Sequence, residues 1–170
     1  MKLWIAALLT LLVAPAVAQQ HQHGDGSYAG MQQRVVKALS DQQIADLRAG
    51  KGMGLALAAE LNGYPGPIHA LELADGLQLS AEQKQSRQQF YEAMRTEAIV
   101  AGESLIESER ALDEAFATQK ITPAGLALLT AQIGERRGAL RAVHLKYHLA
   151  TAELLSADQG RRYGELRGYR

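Results

Sequence analysis

Two long apolar repeats stand next to each other in the second half of the chain, and they constrain the fold more than any other feature. The first extends from Ser80 to about Thr118. The second starts with Thr122 and Pro123, which suit the N-cap and the first position of a helix. Apolar side chains recur at intervals of seven at Tyr91, Ala98, Leu105 and Leu112, and again at Leu126, Ile133, Leu140, Tyr147 and Leu154. This spacing places side chains on one helix face, so the sequence predicts two long helices.

The link between these helices, Gln119 to Ile121, is so short that they must run antiparallel. Each helix is then roughly 45 to 55 Å long, at about 1.5 Å per residue. Two such helices cover each other only partly, and the remaining apolar surface needs short helices or a second subunit. We therefore predict an all-α fold, a long antiparallel helical hairpin with short flanking helices, that forms a homodimer.

The first 18 residues have the features of a secretory signal peptide. Lys2 supplies a positive charge, Leu3 to Val13 is almost unbroken apolar sequence, and Ala16-Val17-Ala18 matches the small-x-small cleavage pattern. An uncleaved membrane anchor is the alternative, although the apolar run is shorter than the roughly 20 residues that a spanning helix needs. We expect cleavage after Ala18, export to the bacterial periplasm and no stable membrane insertion.

The rest of the chain is expected to contain a flexible polar arm at residues 19–38 and a single helical domain at residues 39–170. From Gln19 to about Gly30 there is almost no apolar side chain, so burial cannot offset the entropy of ordering. In the domain, a short helix should follow Ser40, and the Gly-rich stretch from Gly50 to Pro67 should be a flexible connector. Pro67 can then open another short helix.

Composition excludes several classes of function. The chain has no Cys, which removes thiol catalysis and thiolate metal sites. Its 18 Lys and Arg balance its 18 Asp and Glu, and a near-neutral exported chain is a poor nucleic-acid binder. No His-Glu-x-x-His, Gly-x-Ser-x-Gly or phosphate-loop motif is present, and we interpret the carboxylates of Glu109 and Asp113 as a solvated helix edge. We expect no enzyme.

One short pattern, Leu-Ser-x-x-Gln, occurs at the start of three predicted helices. The three copies are Leu39-Ser40-Asp41-Gln42-Gln43, Leu79-Ser80-Ala81-Glu82-Gln83 and Leu155-Ser156-Ala157-Asp158-Gln159. Such a pattern forms a capping box, in which the Ser oxygen accepts from the backbone N–H three residues later and the Gln side chain accepts from the Ser N–H. From physics alone, a purely capping role would account for all three copies.

Paired boxes of this kind in a small exported helical protein resemble the Spy/CpxP family, whose domain is named after the LTXXQ motif. The boxes of Ser80 and Ser156 match best, and the resemblance covers roughly residues 71–169. It implies a cradle-shaped homodimer that acts in the stress response and binds unfolded periplasmic proteins without ATP. Other branches are similar to heavy-metal sensors. A membrane-bound stress sensor is a further candidate partner. The resemblance assigns the residues of the boxes a structural role only, and it identifies no client-binding residue.

Two histidine pairs are candidate metal ligands, although no cofactor is required. His144 and His148 lie four residues apart on the second long helix, where two imidazoles can share Zn, Cu or Ni. Alternatively, they cover the edge of the helix seam or hydrogen-bond to the partner helix, and Arg137 and Arg141 nearby would repel a cation.

The second pair is His21 and His23. Signal cleavage would leave Gln19-Gln20-His21, whose amine, amide nitrogens and imidazole suit square-planar Cu(II) or Ni(II). The alternatives are cyclisation of Gln19 and a merely solvated arm.

Overall fold

The computed structural model describes residues 28–169, and this part of the chain contains six α-helices and no strand. The expected signal segment, His21 and His23 lie outside these residues. The helices are α1 (Asp41–Arg48), α2 (Leu57–Glu60), α3 (Pro67–Glu72), α4 (Ala81–Ala117), α5 (Pro123–Glu153) and α6 (Ala157–Leu166), preceded by a 3-10 turn at Met31–Gln33. The all-α prediction is confirmed. None of the helices in residues 28–169 combines the length and apolarity needed to cross a membrane.

Helices α4 and α5 form the predicted hairpin, with 37 and 31 residues, and they pack against each other. Gln119, two residues after the end of α4, has a left-handed conformation with φ of 55°. Thr122 then caps α5, since its hydroxyl accepts from the Gly125 N–H at 3.1 Å and Pro123 occupies the first turn. Local signals therefore place both ends of the hairpin turn where the sequence predicts them.

The central core lies where α1 packs against the middle of the hairpin. Its buried residues are Val36, Leu39, Ile44, Leu47, Ala98, Leu105, Ile106, Ile133 and Leu140. Gly102 allows the close approach of α1, because a Cβ at this position would lie 2.9 Å from the backbone oxygen of Leu47. The short helix thus covers one side of the seam between the long helices.

A second cluster lies at the open end of the hairpin. It joins Ala70 of α3, Leu77 and Leu79 before α4, and Tyr163 of α6. Because α6 follows α5 after a three-residue link, its buried face returns across the start of α4. This cluster ties the C-terminal helix to the connector.

Two segments that we expected to be flexible contain buried residues. The arm predicted for residues 19–38 does not remain unpacked to its end, because Val36 is fully buried in the central core. The connector between Gly50 and Pro67 contains α2, where Ala59 and Glu60 are buried. In each segment, buried side chains contact residues far along the chain, as Val36 does in the central core and Glu60 does with Tyr163.

The interpretation of Glu109 as part of a solvated edge was also wrong. Its side chain is buried, and Arg137 of α5 forms an ion pair with it across the hairpin. A second cross-hairpin contact involves Glu97, which accepts hydrogen bonds from Lys146 and Tyr147. These pairs join the acidic α4 to the basic α5.

Candidate functional site

A pocket of about 420 Å³ lies between the connector and the two long helices. The Gly-rich loop at residues 49–54 forms one wall, and Tyr91 and Met94 of α4 form another. His144 and His148 of α5 line it, together with His69 of α3 and Glu60 of α2. Apolar surface and imidazoles therefore meet in one concave site.

His148 is held in place by the connector. Its Nδ1 lies 2.7 Å from the carbonyl oxygen of Tyr64, and because a carbonyl only accepts, Nδ1 carries the proton. In the neutral ring the Nε2 atom then has a free lone pair. A Cβ at Gly66 would lie 3.0 Å from this Nε2, so the glycine leaves that edge of the ring uncovered.

His144 lies one turn earlier on α5 and is also buried. Burial lowers its pKa, and repulsion from a protonated His148 would lower it further, so the ring is neutral at pH 7. Its Nε2 atom has no hydrogen-bond partner among the described residues. Both histidines are buried, and the connector that lines the pocket with them was not part of the alternative in which they only cover the edge of the seam.

Glu60 is the buried carboxylate beside the pocket, with an exposed fraction of 4%. Its Oε1 accepts from the hydroxyl of Tyr163, and its Oε2 accepts from the Gly66 N–H at 3.1 Å. Burial opposes ionisation of this carboxyl, but contacts from His69, Tyr163 and the Gly66 N–H outweigh it and lower the pKa to about 2. The carboxylate is therefore charged at all ordinary pH values.

The C-terminal segment closes over the same carboxylate. Tyr169 donates its hydroxyl to Glu60 Oε1 at 3.2 Å, and Arg167 Nε lies 3.6 Å from that oxygen. Burial, together with the contact to Glu60, raises the pKa of Tyr163, so this phenol remains a donor. Glu60 thus joins the connector, α6 and the residues that follow α6.

Sequence reasoning missed Glu60. The only local signal is its position as a lone acid after the apolar run from Leu55 to Ala59. Its Tyr163 partner is 103 residues away in sequence, and no spacing rule connects the two.

The predicted metal ligands are only partly brought together. His144 and His148 share a wall of the pocket, but residues 28–169 contain no group of three His, Cys, Asp or Glu side chains arranged to hold a metal ion. His21 and His23 lie outside the described residues. The structure thus brings one of the two pairs into a site.

All three Leu-Ser-x-x-Gln boxes form, at the starts of α1, α4 and α6. In each, the Gln backbone N–H donates to the Ser hydroxyl at 3.1 Å. The leading leucines pack inward, since Leu39 lies in the central core, Leu79 lies in the second cluster and Leu155 packs against it. The boxes of α4 and α6 also contact each other, whereas the box of α1 stands alone.

The hairpin tip is a separate candidate surface, which we define as residues 110–132. No residue in this segment is buried. Three large apolar side chains are exposed there, Phe116 at 53%, Leu126 at 40% and Leu128 at 60%. The tip therefore presents apolar surface that no other described element covers.

A shallow groove runs between α4 and α5 nearer the middle of the hairpin. It is lined by Val100, Ala101, Ala139 and Val143, with Glu97 on one side and Arg136 on the other. Val100 is 66% exposed. We call this the hairpin groove.

Comparisons with protein-family models, with curated proteins and with solved structures found no match for this chain.

Proposed function

We propose that this protein is an ATP-independent, chaperone-like stress-response protein of the bacterial periplasm, and that it binds unfolded client proteins at the hairpin tip. The observation that carries the proposal is the run from residue 110 to residue 132, in which no side chain is buried although Phe116, Leu126 and Leu128 are large and apolar. A stretch of helix with this composition is expected to bury its apolar face against something.

The chemistry of the tip suits weak binding to many clients. Its apolar side chains gain free energy whenever they remove apolar client surface from water, and this gain does not depend on sequence. Charged residues such as Glu114 and Lys120 lie beside them and keep the free protein in solution. Binding and release of this kind need no nucleotide.

The Spy/CpxP-like boxes and the signal-like N-terminus support the same proposal. The hairpin groove supports a homodimer, because it places the exposed Val100 between Glu97 and Arg136. A second copy packed antiparallel would bring the acid of one groove towards the base of the other.

A client-aggregation assay tests the proposal. Light scattering of a reduced or heat-denatured client is measured with the mature protein and no ATP, for the wild type and for the double variant Phe116→Ser/Leu128→Ser. We expect the wild type to suppress scattering and the tip variant to lose most of that effect, because its exposed apolar area is smaller.

The matched control is Leu149→Ser, since Leu149 is also on α5 and 52% exposed but lies outside the tip. This variant should protect the client as well as the wild type does. Absence of protection by the wild type, or equal loss in the tip and control variants, would refute client binding at the tip.

Metal binding at His144 and His148 is the second candidate function. The observation that favours it is the bond between His148 Nδ1 and the Tyr64 carbonyl, which orients the ring as outer-sphere partners orient metal-ligating histidines. Calorimetric titration with Zn(II), Cu(II) and Ni(II) tests it. Equal affinity in the wild type and in His144→Ala/His148→Ala would eliminate this site.

A further inference from the structure

We infer that the pocket beside Glu60 binds a small, neutral and largely apolar molecule that carries a hydrogen-bond donor. This inference does not depend on the chaperone proposal. The pocket volume of about 420 Å³ lies in the range of roughly 300 to 1,000 Å³ that is typical of small-molecule sites. Its lining combines an apolar wall, including Tyr91 and Met94, with a few fixed polar groups, as such sites do.

His148 determines which polar group the ligand must carry. Its Nδ1–H is already donated to the Tyr64 carbonyl, so the remaining ring nitrogen, Nε2, accepts a hydrogen bond. Gly66 keeps this nitrogen open towards the pocket side, since any Cβ there would come within 3.0 Å of it. An N–H or O–H group on the ligand supplies the missing donor.

The charges around the pocket favour a neutral ligand. Glu60 has its oxygens occupied by Tyr163, Tyr169 and the Gly66 N–H. Lys51, which also lines the pocket, forms an ion pair with Asp46 at 2.8 Å. Because both charged groups that line the pocket already have partners, an ionic ligand would lose hydration without gaining a counter-ion.

Two further observations mark this pocket as a binding site. Met53 in the Gly-rich wall has a φ of 46°, and non-glycine residues in this strained region concentrate at ligand sites. The buried Nε2 of His144 has no partner in the described part of the chain, which is rare for a structural histidine. Both features are expected of a site that is completed when its ligand binds.

Indole and indene form a matched pair of probes. They share a fused bicyclic shape, but only indole has an N–H donor. Binding is measured by NMR titration in the presence of EDTA, with ¹⁵N detection of the histidine rings. We expect indole to bind about tenfold more tightly than indene, because one net hydrogen bond changes the affinity by about this factor. Indole should also shift the Nε2 resonance of His148.

Two variants test the location. Gly66→Ala places a methyl group beside His148 Nε2, and the φ of −74° at this position allows alanine. His148→Asn keeps a donor for the Tyr64 carbonyl but removes Nε2. We expect each variant to weaken indole binding about tenfold and to remove the difference in affinity between indole and indene. Gly134→Ala, where a Cβ meets nothing within 4 Å, is the control and should bind as the wild type does.

The proposal is overturned if the wild type binds neither probe at millimolar concentration, or if it binds both equally. It is also overturned if indole binds without shifting the His148 resonance. Should Gly66→Ala fail to fold, the wild-type resonance and His148→Asn still decide the matter. A failure of client protection in the aggregation assay leaves these measurements unaffected, so the two proposals are tested separately.

Discussion

Gln83 and Gln159 hydrogen-bond to each other through both side-chain amides. The Nε2 of Gln83 lies 3.0 Å from the Oε1 of Gln159, and the reverse distance is 3.1 Å. Each Oε1 also accepts from the N–H of the serine in its own box, Ser80 at 3.1 Å and Ser156 at 3.0 Å. The two capping boxes therefore form one network that joins the N-termini of α4 and α6.

The same amides reach two backbone carbonyls outside the boxes. Gln83 donates to the Leu154 oxygen at 2.7 Å, and Gln159 donates to the Leu77 oxygen at 3.2 Å. A capping box uses only the acceptor oxygen of this side chain, which glutamate also has. The N–H donors are therefore the reason that glutamine, and not glutamate, suits these two positions. A glutamate would cap each helix equally well but would leave these acceptors without a partner.

Gln83→Glu should separate the two roles. The carboxylate still accepts from the Ser80 N–H, but it cannot donate to Gln159 or to Leu154, so we expect a loss of about 1 to 3 kcal/mol in the free energy of unfolding. Gln43→Glu is the control, because the α1 box has no partner box, and it should change stability by less than about 0.5 kcal/mol. Urea unfolding followed by circular dichroism measures both, and equal losses would contradict a joint network.

Glu60 predicts an acid-sensitive contribution to stability. Its folded pKa of about 2 lies below the ordinary glutamate value of 4.5, so the charged form stabilises the fold above pH 4.5. That stabilisation, on the order of 3 kcal/mol, is lost as the pH falls towards 2. We expect wild type to exceed Glu60→Gln in unfolding free energy at pH 7 and the difference to shrink at pH 3. A difference that is independent of pH would contradict this assignment.

Gly102→Ala should weaken the contact between α1 and α4. The added Cβ would lie 2.9 Å from the Leu47 oxygen, so α1 must move, at a cost of about 1 to 3 kcal/mol. Gly138→Ala is the opposite case, since its Cβ meets nothing within 4 Å and alanine favours helix by roughly 0.5 to 1 kcal/mol. Thermal unfolding should therefore show one variant below and one above the wild type. Stabilisation by Gly102→Ala would show that α1 is not packed this closely.

Val100→Arg tests the proposed homodimer. The new guanidinium would replace the exposed apolar side chain between Glu97 and Arg136 in both copies, so packing the two grooves together would desolvate added charges and should be unfavourable. Val35→Arg is matched in residue type and exposure, at 68% against 66%, but lies outside the groove. Sedimentation equilibrium should give a monomer for the first variant and a dimer for the second. A monomeric wild type would remove the homodimer from the proposal.

The helices were predictable because their signals are local. Ser80, Thr122 with Pro123, and Ser156 each mark a helix start within a few residues, and the structure places α4, α5 and α6 directly after them. The apolar repeats then require α4 and α5 to pack against each other. Both kinds of signal depend only on spacing along one helix, so they can be read without knowing which segments meet.

The candidate site was not predictable in the same way. The spacing of His144 and His148 places them on one helix face, but their burial depends on a connector about 80 residues earlier, where Tyr64 holds His148. Glu60 acquires its low pKa from partners on α3 and α6 and from the Gly66 N–H. The amide pair of Gln83 and Gln159 likewise spans 76 residues.

The sequence by itself determined the three capping boxes, the long helices α4 and α5 and their antiparallel hairpin, because each depends on interactions within a few residues or on a single periodic face. Only the tertiary structure decided that two of the three capping boxes meet, that a lone glutamate is buried and that two histidines line a pocket. Those outcomes depend on which distant segments of the chain pack together. The free energy of such contacts depends on the burial and geometry of both partners, and the residue pattern does not contain this information.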